Sequence, residues 1–141
     1  MKLRDIMSTN IIRVHPKETV EVAARRLAQY NIGFLAVCDK GRLCGLVTDR
    51  DLVTRCVASG RLPNKTTVDE IMTGRVVSAH PEMETGVAAH LMGREQIRRL
   101  PVVEGGKLCG IVSLGDIVAQ PEGGLDAVDA LESICGNLIE K

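Results

Sequence analysis

The 141-residue sequence has almost no aromatic side chains: it contains no tryptophan, one tyrosine and one phenylalanine. Apolar residues still make up 45% of the chain, so its core must be built from aliphatic side chains. Proteins that bind single-stranded nucleic acid without sequence preference stack the bases on aromatic residues. The near-absence of such residues argues against nucleic acid as a partner.

The chain also lacks an excess of either charge, with 18 basic and 18 acidic side chains. Nucleic-acid-binding domains usually carry a basic excess, which this sequence does not have. No apolar run approaches the length of a membrane span, and residues 1–5 lack the apolar core of a signal peptide. We therefore expect a cytoplasmic protein with no membrane partner.

Catalytic and metal-binding motifs are missing as well. The five cysteines are odd in number and form no C-x-x-C pair, which favours reduced thiols in the core over disulfides or a zinc site. His15 and His80 each precede a proline and belong to no metal-binding pattern, so we interpret them as turn residues. Nucleophile-elbow, phosphate-loop and dinucleotide-binding motifs are also lacking. We expect no enzyme activity, no metal site and no required cofactor.

What the sequence does contain is an internal repeat. Residues 5–53 align with residues 70–118 without a gap, at a constant offset of 65 residues. Matching pieces include Ile6-Met7 with Ile71-Met72, and the run from Gly41 to Val47 with the run from Gly106 to Val112. A repeat of this kind indicates a duplicated folding element.

Each copy has the pattern of strand, helix, strand, strand, helix, which predicts an α/β (α+β) fold. Thr19 is placed to cap the first helix, Asp39-Lys40-Gly41 to form a hairpin turn, and residues 76–79 to form the first strand of the second copy. We predict a first repeat over 1–58, a linker over 59–66 and a second repeat over 67–120. Apolar residues at helical spacing predict an amphipathic helix over 121–141.

The strand-to-helix turn of both copies has the pattern Gly-h-Val-[Thr/Ser]-x-x-Asp, where h is an aliphatic residue. It runs from Gly45 to Asp51 and from Gly110 to Asp116. One interpretation is a helix cap, in which the hydroxyl accepts from backbone N–H groups. The other is a sugar clamp, in which the carboxylate accepts from ribose hydroxyls and the cap faces a phosphate. One turn can do both.

Arg98 and Arg99 stand together before the second-copy strand, where the first copy has the uncharged Gly33-Phe34. The pair is either a solvated helix end or a phosphate-binding group. The copies have diverged here, and structural duplication alone gives no reason for the difference.

Taken together, residues 3 to about 119 resemble two copies of the CBS domain, the module named after cystathionine β-synthase. The resemblance rests on Asp-Ile-Met at the start of the first copy, a helix, an Ile-x-x-Leu-x-Val-Val run, a hairpin and the turn pattern above. Two positions depart from the family pattern. Ala36 stands where proline is typical, and Leu114-Gly115 stands where the first copy has Asp49-Arg50.

The resemblance implies two repeats related by a pseudo-twofold axis, with two clefts for adenosine compounds such as AMP, ADP, ATP, S-adenosylmethionine or an NAD-like ligand. Each cleft would take its ribose-binding Asp from one copy and its base pocket from the other. The first cleft, expected to hold the phosphorylated ligand, would comprise Leu46, Thr48, Asp51, Met72, Val77, Ile97, Arg98 and Arg99. The second would comprise Ile111, Ser113, Asp116, Met7, Ile12, Ile32 and Gly33, with Arg50 as its cation.

The leading hypothesis is therefore a stand-alone regulatory module that binds an adenosine nucleotide, forms a homodimer as family pairs commonly do, and relays binding to an unknown regulated protein. The alternative is a structural dimerisation module whose clefts are degenerate and empty.

Overall fold

The computed structural model describes residues 1–120, 128–130 and 132–134. Its contacts divide the chain into two compact units. The central unit is Ile11–Val76, and the terminal unit combines Met1–Asn10 with the described residues from Val77 onward. In this part of the chain, no helix has both the length and the apolar character needed to cross a membrane.

The central unit follows the predicted order of strand, helix, strand, strand, helix. Its elements are β1 (Arg13–Val14), α1 (Val20–Tyr30), β2 (Phe34–Asp39), β3 (Arg42–Thr48) and α2 (Asp49–Asp51), which continues as a π-helix over Leu52–Val57. Strand β1 pairs parallel with β2, and β2 pairs antiparallel with β3. Short 3₁₀ turns at Pro63–Lys65 and Val68–Glu70 complete the unit. The mixed α/β prediction is confirmed.

Helix α1 begins and ends where its sequence signals predict. The Thr19 hydroxyl accepts from Val22 N at 3.2 Å, which satisfies one of the amides left unpaired at a helix start. Asn31 ends the helix in the left-handed conformation, with φ 52°. The apolar face buries Val20, Ala23 and Leu27 against the sheet, beside Leu35, Val37 and Val47.

The terminal unit is built from a 3₁₀ turn at Leu3–Asp5, α3 (Thr85–Glu95), β4 (Arg99–Glu104), β5 (Lys107–Ser113) and α4 (Leu114–Val118). Strands β4 and β5 form an antiparallel hairpin. The strand predicted over 76–79 is wrong in extent, because only Ala79 pairs, in a parallel bridge with Val102. The following His80-Pro81 turn ends the pairing there, since proline has no N–H for a ladder.

The ten N-terminal residues belong to the unit formed mainly by the second copy. Leu3 is fully buried in that core, and its N–H donates to Met83 O at 2.9 Å. Ser8 exchanges two backbone hydrogen bonds with Ile111, both 2.9 Å long. In the central unit, Thr73 does the same with Leu46, at 2.8 and 3.0 Å. Each Ile-Met segment thus joins the hairpin of the other copy. The domain boundaries predicted from the repeat stay a prediction.

The predicted C-terminal helix lies mostly outside the described residues. Residues 128–130 and 132–134 are helical, and Ala130 and Ile134 are buried in the core of the terminal unit. Gln96 Nε2 donates to Ser133 Oγ at 3.0 Å. This part of the tail therefore packs at the end of α3.

Candidate functional site

The same reciprocal hydrogen-bonded box closes the strand-to-helix turn of both units. In the central unit, Asp51 N donates to Thr48 Oγ1 at 3.1 Å and Thr48 N donates to Asp51 Oδ2 at 2.9 Å. In the terminal unit, Asp116 N donates to Ser113 Oγ at 3.0 Å and Ser113 N to Asp116 Oδ2 at 2.8 Å. The capping interpretation of both turns is confirmed. In both units, Oδ2 is the aspartate oxygen that accepts the hydrogen bond of this box.

In each unit, the residue that precedes the first strand of the hairpin lies beside the capped turn of the same unit. Asp49 N donates to Gly33 O at 3.0 Å, and Leu114 N donates to Arg98 O at 2.8 Å. Across the terminal hairpin, Arg99 pairs directly with Ser113. The hairpin register thus brings the backbone of both arginines to the capped turn of their own unit.

A cavity of about 630 Å³ opens at this turn of the terminal unit. Its lining comprises Arg98, Arg99, Ser113, Leu114, Gly115, Val118 and Ala119. Guanidinium groups are always charged and present several donors in a planar fork, which matches phosphate and carboxylate oxygens. Two such groups beside a hydroxyl and an aliphatic wall suit an anionic ligand with an apolar part.

His15 and His80 serve as turn residues, in agreement with the sequence. His15 Nδ1 accepts from Lys17 N at 3.0 Å, and His80 Nδ1 accepts from Glu82 N at 3.1 Å. Within the described ranges, no three His, Cys, Asp or Glu side chains gather closely enough to hold a metal ion. Burial raises the pKa of the Cys38 thiol, which fits a core position.

Comparison with known families matches the model of the CBS domain to residues 3–58 and 68–123. The chain belongs to the CBS-domain family. It is 39% identical over 132 residues to the CBS domain-containing protein YhcV of Bacillus subtilis, covering 94% of each chain.

Two solved CBS-domain structures are similar to this chain. Hypoxic Response Protein I, solved with two coordinated zinc ions, shares 33% identity with a TM-score of 0.78, over 86% of this chain and all of its own. The CBS domain pair of protein MJ0100, solved with 5-methylthioadenosine and S-adenosyl-L-methionine, shares 33% identity with a TM-score of 0.71. That match covers 83% of this chain and 92% of its own.

The two units of the CBS pair divide the predicted site residues between them. The central unit holds Ile12, Ile32, Gly33, Leu46, Thr48, Arg50, Asp51 and Met72, and the terminal unit holds Met7, Val77, Ile97, Arg98, Arg99, Ile111, Ser113 and Asp116. Within a unit, the structure therefore brings Arg98 and Arg99 to the Ser113 turn. The family resemblance instead implies that both arginines act together with Asp51, and that grouping across the copies stays a prediction.

The turns of the two CBS units differ in charge. The oppositely charged pair Asp49-Arg50 stands in the central unit where the uncharged Leu114-Gly115 stands in the terminal unit. Gly33-Phe34 stands in the central unit where the terminal unit has Arg98-Arg99. At these positions, the terminal turn thus carries two positive charges and no additional carboxylate. Opposite charges attract and like charges repel over these short distances. The Ser113 turn is therefore the more favourable of the two for phosphate.

Sequence reasoning missed Arg55. Its Nε lies 3.7 Å from Asp51 Oδ1, and its Nη1 donates to Ile71 O and Met72 O at 3.3 and 3.2 Å. The available signal was its i,i+4 spacing from Asp51 on a predicted helix. The second copy has Gln120 at the equivalent position.

Proposed function

We propose that this CBS pair is a regulatory module that binds an adenosine nucleotide, and that Arg98 and Arg99 hold its phosphate. The candidates are AMP, ADP, ATP, S-adenosylmethionine and an NAD-like ligand. The cavity that these arginines line with Ser113 is the observation that carries the proposal. Binding would shift the population of the pair between arrangements, which a regulated protein then recognises. We further propose that the chain works as a homodimer without catalysing a reaction.

Two lines of evidence support an adenosine ligand. The cavity combines cationic groups with the aliphatic Leu114 and Val118, which can contact a flat apolar base. The related MJ0100 pair was solved with two adenosine compounds. Among the candidates, phosphorylated compounds fit the arginine pair best because guanidinium and phosphate form charge-assisted hydrogen bonds.

Isothermal titration of the full chain with AMP, ATP, S-adenosylmethionine and NADH tests the proposal. We expect saturable binding of a phosphorylated compound, weakened about tenfold in Arg99→Ala, which corresponds to about 1.4 kcal/mol. Arg94→Ala is the matched control, because it removes one arginine of the same unit that lines a different cavity. Heats of dilution alone with all four compounds would contradict the proposal.

A double-mutant cycle identifies the carboxylate that shares a ligand with Arg99. If the ribose binds in the same unit, Asp116→Asn and Arg99→Ala will affect the same titration and their effects will be non-additive. If the family grouping across the copies holds, Asp51→Asn will be the non-additive partner. Asparagine is the appropriate substitution because its amide oxygen can still accept from the backbone N–H of Thr48 or Ser113, which preserves the capping box.

A structural dimerisation module remains the second candidate. Both aspartates of the CBS turns already act as caps, so the turn pattern has a structural explanation. On α3, Val87 is 55% exposed and lines a surface cavity with Met83 and Leu91. This candidate predicts a dimer that is indifferent to nucleotides. Native mass spectrometry of the purified protein reports co-purified ligand and oligomeric state together and so separates the two functions.

A further inference from the structure

We infer that Arg55 is a built-in competitor for the Asp51 carboxylate, so that a ligand bound to Asp51 detaches Arg55 from the backbone at Ile71 and Met72. The inference rests on the proposed function, because it assigns a regulatory consequence to adenosine binding at the central turn. It concerns the central unit alone.

Three contacts place Arg55 between the carboxylate and the 71–72 backbone. Its Nε lies 3.7 Å from Asp51 Oδ1, while its Nη1 donates to Ile71 O at 3.3 Å and to Met72 O at 3.2 Å. The Asp51 side chain is only 12% exposed, whereas the Arg55 side chain is 51% exposed. The carboxylate is thus held in place, and the arginine is the partner that has room to leave.

A ribose that donates hydroxyl hydrogen bonds to Asp51 needs an available oxygen. Oδ2 already accepts from Thr48 N at 2.9 Å, so Oδ1 has the greater remaining capacity to accept from the sugar. Oδ1 is also the atom that faces Arg55, in an ion pair at 3.7 Å that is longer than a hydrogen bond. A sugar hydroxyl that approaches Oδ1 therefore meets the Arg55 guanidinium, and we expect the guanidinium to be displaced.

The segment that Arg55 would release, residues 71–73, contacts the β2–β3 hairpin. Met72 packs on Gly45, and the neighbouring Thr73 exchanges two backbone hydrogen bonds with Leu46. Losing both contacts from Nη1 leaves this segment with fewer restraints and lowers its local stability. Ligand binding at Asp51 thereby lowers the local stability of the backbone at residues 71–73.

The second copy lacks this arrangement. Gln120 stands at the position of Arg55 and carries no charge to pair with Asp116. Arg55 also lies in the π-helical segment Leu52–Val57, where Ala58 N donates to Val53 O at 2.8 Å. In α4, Ala119 N instead donates to Gly115 O, four residues back. Such local widening of a helix is frequent at functional sites.

The test compares the wild type with Arg55→Gln, which installs the residue of the second copy. Arg61→Gln is the matched control, because it removes an exposed arginine of the same unit that pairs with Glu70. Calorimetry uses adenosine, which lacks the phosphate that Arg98 and Arg99 would attract. We expect adenosine to bind Arg55→Gln about two- to fivefold more tightly than the other two proteins, since an i,i+4 ion pair no longer opposes it.

Hydrogen exchange of the wild type gives a second measurement that needs no variant. Saturating adenosine should accelerate exchange of the amides of residues 71–73 several-fold, while α1 amides remain unchanged. Equal adenosine affinity in all three proteins, or unchanged exchange at 71–73, would overturn the inference and leave the proposed function intact. Absence of adenosine binding to all three proteins would also overturn the inference, and if they bind no phosphorylated compound either, the proposed function itself fails.

Discussion

Met72 packs directly on Gly45, so closely that the glycine has no room for a side chain. A β-carbon added to Gly45 would lie 2.8 Å from Met72 Sδ and 2.6 Å from Thr73 O. In the terminal unit, a β-carbon on Gly110 would lie 2.6 Å from Met7 Sδ. In each unit, the methionine of the Ile-Met segment packs on the glycine of the turn pattern. This contact explains why the position has no side chain.

Gly45→Ala should lower the free energy of unfolding by about 2 kcal/mol, because overpacking a tight contact forces the backbone to shift. Gly110→Ala should cost less, since the two nearest atoms belong to the flexible Met7 side chain and the backbone oxygen of Ser8 lies farther away, at 3.0 Å. Urea denaturation followed by circular dichroism measures both. Gly74→Ala is the control, because nothing lies within 4 Å of its added β-carbon. Equal stability of Gly45→Ala and Gly74→Ala would refute the contact.

The capping boxes lead to a second prediction. Thr48→Ala and Ser113→Ala should each destabilise their unit by about 1 kcal/mol, because a part-buried helix start loses its side-chain acceptor. Thr48→Ser and Ser113→Thr keep the hydroxyl and should remain close to wild type. Thermal denaturation of the four variants provides the measurement, and an alanine variant as stable as its hydroxyl counterpart would argue against the box.

A third prediction concerns acid stability. Arg26 donates to both carboxylate oxygens of Glu18, at 2.9 and 2.8 Å, and His15 N donates to Oε1 at 2.9 Å. The Arg26 hydrogen bonds, together with that backbone donor, lower the pKa of Glu18 below its ordinary value of 4.5. The native state therefore gains stability above pH 4.5 that is lost as the pH falls through the lowered pKa.

Glu18→Gln should accordingly lower the melting temperature at pH 7 and have a smaller effect at pH 3. The control is Glu21→Gln, which removes a carboxylate from an ion pair with the highly exposed Arg25 and should change little at either pH. Melting curves across this pH range provide the comparison. A pH profile of Glu18→Gln parallel to that of the wild type would contradict the assignment.

The tail gives a fourth prediction. A β-carbon on Gly93 would lie 3.0 Å from Ala130 Cα and 3.2 Å from Ala130 Cβ. Gly93→Val should therefore displace the described segment around Ala130 from α3 and speed cleavage of the C-terminal part of the chain in limited proteolysis. Ala28→Val is the matched control, since Ala28 holds the equivalent position on α1. Equal cleavage of both variants would show that the contact does not hold the tail.

Local signals in the sequence were sufficient for most of the fold. The caps at Thr19 and Thr48 and the positive φ of Gly41 follow from short-range chemistry that each residue carries in its own neighbourhood. The strand predicted over 76–79 failed because pairing depends on a partner that short-range patterns do not specify.

The candidate site was harder to predict because its residues are distant along the chain. The repeat indicated that Arg98 and Arg99 differ from Gly33-Phe34, but only the hairpin register places them at Ser113. Arg55 was missed for the opposite reason. It is close to Asp51 in sequence, but its second set of contacts, at Ile71 and Met72, depends on the tertiary fold.

The position of Met1–Asn10 has a consequence for the order of events during synthesis. The central unit is continuous in sequence, so it can complete its contacts once residue 76 has left the ribosome. The first ten residues emerge earlier but meet their hydrogen-bonding partners, Met83 and Ile111, only later. Because residues 11–76 can already be folded by then, residues 1–10 dock late and are among the last described residues to become native, although they precede the central unit in the chain.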